Sequence, residues 1–380
     1  MLPTHSTSMH ILHVVGARPN FMKAAPVLRA LSARADVRQS LVHTGQHYDA
    51  AMSDVFFRQL EMPVPDCNLG VGSGTHAQQT AAVMSAFEPI LLQRKPDLVL
   101  VYGDVNSTMA VALVCSKLGV RVGHVEAGLR SRDRSMPEEI NRIITDQLSD
   151  LLFTPSEDGN ENLVREGIDE SRIHLVGNVM IDTLVRLLPQ AEKHFPADIA
   201  SPYALVTLHR PSNVDDLPWL RDLLVTLSEL SQNFSVVFPV HPRTRQRMAA
   251  LGPVASLNGR LRLLDPLPYL DFLALQRRAV MVITDSGGIQ EESTYLSVPC
   301  ITVRENTERP VTIQQGTNRL VGRNFEMLRC VASDILHESS KGKISSQKCQ
   351  IPFWDGHAAE RIAEIIVPMS AAVPAVLQTA

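Results

Sequence analysis

Apolar residues in this chain fall into short unbroken runs, separated by stretches where they recur at helical spacing. The runs predict buried strands near His10–Val15, Ser40–His43, Leu98–Tyr102, Val120–Val125, Leu151–Thr154 and Ile173–Val176. The intervening spacing predicts helices over Phe21–Ala33, His76–Gln93, Thr108–Lys117, Glu138–Leu148 and Glu161–Glu166. The rhythm restarts at Ala204–Leu208 and continues through Val236–Val240, Leu261–Leu264, Val280–Thr284 and Cys300–Val303. Strands that are apolar throughout, alternating with helices, imply parallel sheets covered on both faces. The expected fold class is therefore α/β, with two Rossmann-like doubly wound domains.

The domain boundary is placed after Val176-Gly177-Asn178, giving 9–178 and 179–355, with the segment around Pro189–Pro202 as a link. A last helical stretch, Ala358–Ile366 within 356–368, is expected to pack back on the first domain. Two such domains are expected to face each other across a cleft, with ligands at the C-terminal ends of the strands.

Composition narrows the function classes. The 380 residues are 44% hydrophobic and 20% charged, with a formal net charge of −4. That mild acidity argues against a nucleic-acid binder or a membrane-surface protein, so anion-binding arginines must be local. The apolar runs are too short to span a bilayer, and the first eight residues lack the basic and apolar regions of a signal peptide. Five scattered cysteines, Cys67, Cys115, Cys300, Cys330 and Cys349, form no Cys-x-x-Cys pair. This points to reduced thiols and a cytoplasmic location. The thirteen histidines show no compact metal-ligand spacing. No metal is expected, and the absence of Gly-x-Gly-x-x-Gly after the first strand disfavours a nicotinamide or flavin cofactor.

Candidate chemistry gathers at the ends of the proposed strands. Val-Met-Val-Ile-Thr-Asp285-Ser286-Gly287-Gly288-Ile-Gln-Glu-Glu292 runs from strand through a glycine turn into a helix. Its backbone N–H groups and helix dipole suit an anion; the structural alternative is Ser286 as a simple N-cap. Gly16-Ala-Arg18-Pro-Asn20-Phe-Met-Lys23 follows the first strand, and Arg18 and Lys23 can address a diphosphate or merely be exposed cations. Asp104 ends one strand, Glu126 the next, and Glu138 starts a helix. Neighbouring parallel strands lie about 4.8 Å apart, so Asp104 and Glu126 can converge, and crowding raises the pKa of one member toward neutrality. Capping and helix-dipole roles are the alternatives. His209 and His241 each sit at a strand exit, and Arg304–Pro310 supplies charges that either form a surface loop or complete a ribose and phosphate pocket.

Taken together, these segments resemble the non-hydrolysing UDP-N-acetylglucosamine 2-epimerases. Gly-Ala-Arg-Pro-Asn-Phe-Met-Lys, Thr-Gly-Gln-His, Gly-Asp, His-Val-Glu-Ala-Gly-Leu-Arg-Ser, Pro-Glu-Glu-Ile-Asn-Arg, Thr-Asp-Ser-Gly-Gly-Ile-Gln-Glu-Glu and Thr-Glu-Arg-Pro occur in that family's order, from about His10 to Gly322. The resemblance implies a GT-B arrangement, a homodimer, and interconversion of UDP-GlcNAc and UDP-ManNAc without metal or redox cofactor. It further implies elimination of UDP to 2-acetamidoglucal, followed by re-addition. By motif, Asp104, Glu126 and Glu138 are then the acid/base group and His209 assists the leaving diphosphate. Arg18, Lys23, His241, Ser286, Gly287, Gly288 and Glu292 bind UDP, with Arg130 and Arg142 in support. Gln46, His47 and Arg210 match residues with which some bacterial members bind a second UDP-GlcNAc as activator. The chain departs from many relatives at Asn20, where they have Glu, and at His209-Arg210-Pro211-Ser212-Asn213, where they have His-Arg-x-Glu-Asn. A UDP-2,3-diacetamido-uronate epimerase shares these motifs; a GT-B glycosyltransferase, a hydrolysing epimerase and a non-catalytic sensor are more distant readings.

Overall fold

The computed structural model describes residues 8–46, 57–196, 198–199, 201–251, 260–341 and 349–368. Its contacts divide the chain into two units. One runs to Thr183 and resumes at Pro352; the other is Leu184–Ile351.

The first unit is built on a seven-stranded parallel sheet. Its strands are β1 (Met9–Val15), β2 (Val37–His43), β3 (Cys67–Asn68), β4 (Leu98–Tyr102), β5 (Val122–Val125), β6 (Leu151–Thr154) and β7 (Ile173–Leu175). They lie in the order β3-β2-β1-β4-β5-β6-β7. The connecting helices are α1 (Arg18–Ser32), α2 (His76–Arg94), α3 (Asn106–Lys117), α4 (Pro137–Leu148) and α5 (Glu157–Arg165). The crossover reverses between β1 and β4, which creates a switch point at their C-terminal ends. All of β4 is buried, as expected for a strand with helices on both sides.

The division of the chain falls inside α6 (Val179–Ala191). Pro189 lies within this helix rather than in a linker. The second unit has six parallel strands: β8 (Tyr203–Thr207), β9 (Ser235–Pro239), β10 (Leu261–Leu264), β11 (Met281–Thr284), β12 (Cys300–Thr302) and β13 (Asn318–Leu320). Their order is β10-β9-β8-β11-β12-β13, so the switch point lies between β8 and β11. Around them lie α7 (Pro211–Val214), α8 (Leu217–Leu230), α9 (Pro242–Ala250), α10 (Tyr269–Arg278), α11 (Gly287–Tyr295), α12 (Val311–Gln314) and α13 (Phe325–Ser340). The two faces of β8 feed separate cores: Ala204 and Val206 pack with Phe238 and Ile283, while Tyr203 and Leu205 pack with Val237 and Val282. This alternation is the period-two pleat of a strand.

The last helix, α14 (Ala358–Ile366), packs on α1 in the first unit. Asp182 caps it, accepting from the N–H groups of Ala358 (3.1 Å) and Ala359 (2.7 Å). Both units are thus Rossmann-like doubly wound domains, the fold class the apolar pattern predicts. Among the described residues no helix is long and apolar enough to cross a membrane.

Candidate functional site

At the switch point of the first unit the register does the positioning. Tyr102 pairs with Val125, so the residues that leave the sheet side by side are Gly103 and Glu126. Gly103 has φ +63°, and a Cβ there would stand 2.6 Å from Lys23 Nζ and 3.3 Å from Glu126 Oε2. Only glycine leaves room for the ion pair that Lys23 and Glu126 form in the interior. Glu126 itself has φ +75°. A left-handed, non-glycine residue costs roughly 1–3 kcal/mol and persists where its surroundings over-determine it. Here the N–H groups of Glu126 and Ala127 both donate to the Phe153 carbonyl, at 3.1 and 3.0 Å, while Lys23 holds the side chain. Lys23 was expected to reach a diphosphate; the structure instead buries it against Glu126, because it lies one turn into α1, facing the sheet. Arg18, at the exposed start of the same helix, stays open to solvent.

Asn20 explains how the β1–α1 turn is held. Its side-chain oxygen accepts from the N–H groups of Gly16 and Ala17, both at 3.0 Å, and its amide donates to the Tyr102 carbonyl at 2.6 Å. Asparagine can do both at once; an ionised glutamate has no donor.

Asp104 and Arg142 form a second pair. Arg142 Nη1 donates to Asp104 Oδ2 at 2.5 Å and Nη2 to Glu139 Oε2 at 2.7 Å. Glu139 also accepts from Ser131 N, Ser131 Oγ and Arg132 N, at 2.9, 3.0 and 2.8 Å. Burial raises its pKa, but these donors and Arg142 outweigh burial and hold the carboxyl below its ordinary range. The side chain of the neighbouring Glu138 is half-buried and has no hydrogen-bond or ion-pair partner among the described residues. Of the three expected acids, two are therefore anchored at strand exits by cations, and Glu138 lies beside the Glu139 anchor.

The remaining described candidates of the first unit, Arg130 and Gln46, make local polar contacts. Arg130 donates to both oxygens of Glu166, at 2.8 and 2.7 Å, and contacts Asp146 at 2.7 Å. Asp146 also meets His124 Nδ1 at 2.6 Å, and His124 Nε2 lies 2.8 Å from the Gly103 carbonyl. A carbonyl only accepts, so Nε2 carries the proton there. Gln46 Oε1 accepts from Ser107 N and Oγ at 3.0 and 2.7 Å, capping the start of α3. His47 lies outside the described residues. Glu139, Asp146 and His124 were not singled out from sequence. A signal existed: Glu139, Arg142 and Asp146 recur at i, i+3 and i+7 on one buried face of α4, and buried charges at that spacing face partners.

The second unit gathers its groups around Asp285. Thr207 pairs with Thr284, which brings His209 beside Asp285 just beyond the strands. The Asp285 carboxylate accepts from the N–H groups of His209 (3.1 Å) and Arg210 (2.9 Å) and from Asn213 Nδ2 (3.2 Å). His209 and His241, at the exits of β8 and β9, have ring centroids 5.7 Å apart. His241 Nδ1 also accepts from Arg243 N at 3.2 Å as the N-cap of α9. Burial lowers the His209 imidazole below its ordinary value; Asp285 opposes this, and the guanidiniums of Arg210 and Arg304 add to it.

Ser286 occupies the N-cap position of α11, but its side chain makes no capping bond. Its N–H donates to Thr284 Oγ1 at 3.0 Å. The helix that follows starts at Gly287, and the first N–H groups of a helix have no partner within it and lie at the positive end of its dipole. Gly287 is required by close approach: a Cβ would collide with the Arg309 guanidinium and stand 2.7 Å from Glu308 Oε1. Behind it, Glu308 collects Arg304 (2.8 Å), Arg309 (2.5 Å) and Arg210 (3.4 Å). Burial raises the Glu308 pKa, yet the three guanidiniums hold it well below the ordinary range. Within Arg304–Pro310, Arg304, Glu308 and Arg309 are buried, while Glu305 is exposed and Asn306, Thr307 and Pro310 are half-buried. Glu292 lies deeper on α11, where it accepts from Tyr269 OH at 2.9 Å; burial pushes its carboxyl up to about 7.

A family model described as UDP-N-acetylglucosamine 2-epimerase matches residues 29–367. A UDP-N-acetylglucosamine 2-epimerase of Methanocaldococcus jannaschii is 42% identical over 369 residues, covering 94% of this chain and 99% of that protein. The UDP-2,3-diacetamido-2,3-dideoxy-D-glucuronate 2-epimerase of Pseudomonas aeruginosa is also 42% identical, over 95% of this chain and 100% of its own. The crystal structure of the M. jannaschii UDP-GlcNAc 2-epimerase in complex with UDP-GlcNAc and UDP superposes with a TM-score of 0.85 at 41% identity, covering 95% of this chain and 100% of that one.

Proposed function

We propose that this chain, which belongs to the UDP-N-acetylglucosamine 2-epimerase family, interconverts UDP-GlcNAc and UDP-ManNAc. The observation that carries the reading is the pair of anchored carboxylates, Asp104 and Glu126, at adjacent strand exits. A transferase has no need of such a group, whereas inversion at C2 requires a proton to leave and return there. In the first half-reaction the C2–H and C1–O bonds break, the carboxylate group takes the proton, and UDP departs with the C1–O electron pair. The product is 2-acetamidoglucal. In the second, UDP adds back to C1 and a proton is delivered to the opposite face of C2. No net oxidation occurs, so the chemistry calls for no redox cofactor.

Asp104, Glu126 and Glu138 are assigned the proton transfers, with Lys23 and Arg142 as counter-ions that keep the first two placed. His209 assists the departing diphosphate. Arg18, His241, Ser286, Gly287, Gly288 and Glu292 are assigned to UDP, with the positive cluster of Arg210, Arg304 and Arg309 behind the turn. The reading includes a homodimer acting on a soluble nucleotide sugar in the cytoplasm. The identity to the P. aeruginosa protein supports a second reading, epimerisation of a UDP-diacetamido-uronate. Separate incubations with UDP-GlcNAc and with UDP-2,3-diacetamido-glucuronate decide between them. UDP-ManNAc formation is expected from the first; turnover of the uronate alone would transfer the assignment, and release of free ManNAc would refute the non-hydrolysing reaction.

A further inference from the structure

Asp285 has no exposed surface, yet it is a carboxylate, and four donors or potential donors converge on it from one short segment. These are His209 N, Arg210 N, Asn213 Nδ2 and His209 Nδ1, which lies 3.4 Å from Oδ1. Burying a charge is costly unless its partners repay it. These partners tie it to a single side chain of chemical consequence, for the His209 ring is still 41% exposed. Its second nitrogen, Nε2, has no partner among the described residues.

We propose that Asp285 is the positioning residue of His209: it keeps the proton on Nδ1, turns Nε2 outward to the ligand, and supports the imidazolium as negative charge develops on the departing diphosphate. At 3.4 Å the contact of Nδ1 with Asp285 is an ion-pair distance, and a carboxylate beside one ring nitrogen favours the proton on that nitrogen. This inference rests on the role given to His209 in the proposed function. The other charged or titratable groups facing the ring are Arg210 on its own segment, Arg304 beyond β12 and His241 beyond β9. The two guanidiniums oppose a positive ring, which leaves Asp285 as its support; Glu308 lies one step removed, against Arg210.

The test combines NMR of ¹⁵N-histidine-labelled full-length protein without substrate and kinetics of Asp285→Asn, His209→Ala and the double variant. In the wild type the neutral His209 ring is expected to be protonated on Nδ1. Asp285→Asn should move its titration midpoint down by on the order of one pH unit. The same change should lower kcat about 10–100-fold with KM altered less than about threefold. The double variant should be no slower than His209→Ala. A wild-type ring protonated on Nε2 would overturn the inference without requiring any variant to fold. So would losses that multiply fully in the double variant, which would indicate a structural role independent of His209. Absence of UDP-sugar turnover by the wild type would defeat the functional reading, while the titration still decides what Asp285 does to the ring.

Discussion

Replacing Glu292 with glutamine should stabilise the protein, and by an amount that depends on pH. Glu292 is 2% exposed, and burial raises its carboxyl from an ordinary 4.5 to about 7. Between those values the folded chain binds a proton that the unfolded chain has released, so stability falls as pH rises from about 4.5 to 7 and stays reduced above it. An interval of that size corresponds to about 3 kcal/mol. Glutamine carries no such penalty and keeps the local bonds. Its oxygen can accept from Tyr269 OH as Glu292 Oε1 does at 2.9 Å. Gln276, whose amide nitrogen donates to Glu292 Oε2 at 2.9 Å, can instead turn its oxygen to the new amide. Thermal melts of both proteins at matched pH isolate the effect, because all other titrations are shared. The variant should melt close to the wild type near pH 4.5 and about 6–12 °C higher at pH 8, at about 2–4 °C per kcal/mol. A difference that does not change with pH, or that shrinks as pH rises, would refute the reasoning. The gain should come with weaker UDP binding, the usual cost of relieving a strained functional position.

Three further substitutions probe the first unit. Lys23→Met leaves the Glu126 carboxylate buried without its ammonium and should cost roughly 3–5 kcal/mol, read as a lower urea midpoint. Adding Glu126→Gln should restore stability but not turnover; recovery of both would mean that neither residue acts in the reaction. Gly103→Ala places a Cβ 2.6 Å from Lys23 Nζ at φ +63°. It should cost at least about 1–2 kcal/mol and lower kcat more than it changes KM, whereas wild-type turnover would show that the Lys23–Glu126 geometry is dispensable.

Strands with unbroken apolar runs were legible because both faces of a parallel sheet are covered. The strand Cys67–Asn68 has only two residues, neither fully buried, and Asn318–Leu320 mixes polar and apolar positions; neither leaves an apolar run to read. The helices α1, α3 and α5 begin earlier than their periodicity suggests, because Arg18–Asn20, Asn106–Ser107 and Glu157–Asn160 are polar first turns. The placement of the candidate residues at strand exits was legible, since polar residues just past an apolar run fall at the C-terminal edge of the sheet. Their partners were not. Lys23 meets Glu126 across 103 positions of sequence, and Asp285 meets His209 across 76. Both pairings depend on which strand lies next to which, a fact of topology that no local pattern encodes. Asn20 shows the converse: a departure visible in sequence whose meaning appears only when its amide is seen joining the β1–α1 turn to the Tyr102 carbonyl.

The central claim is that the C2 hydrogen leaves the sugar while UDP is detached and retained. Incubation with UDP-GlcNAc in D₂O, followed by ¹H NMR, tests it most directly. The account predicts a mixture of UDP-GlcNAc and UDP-ManNAc carrying deuterium at C2, with traces of 2-acetamidoglucal. Epimerised product that keeps its original C2 hydrogen would contradict it.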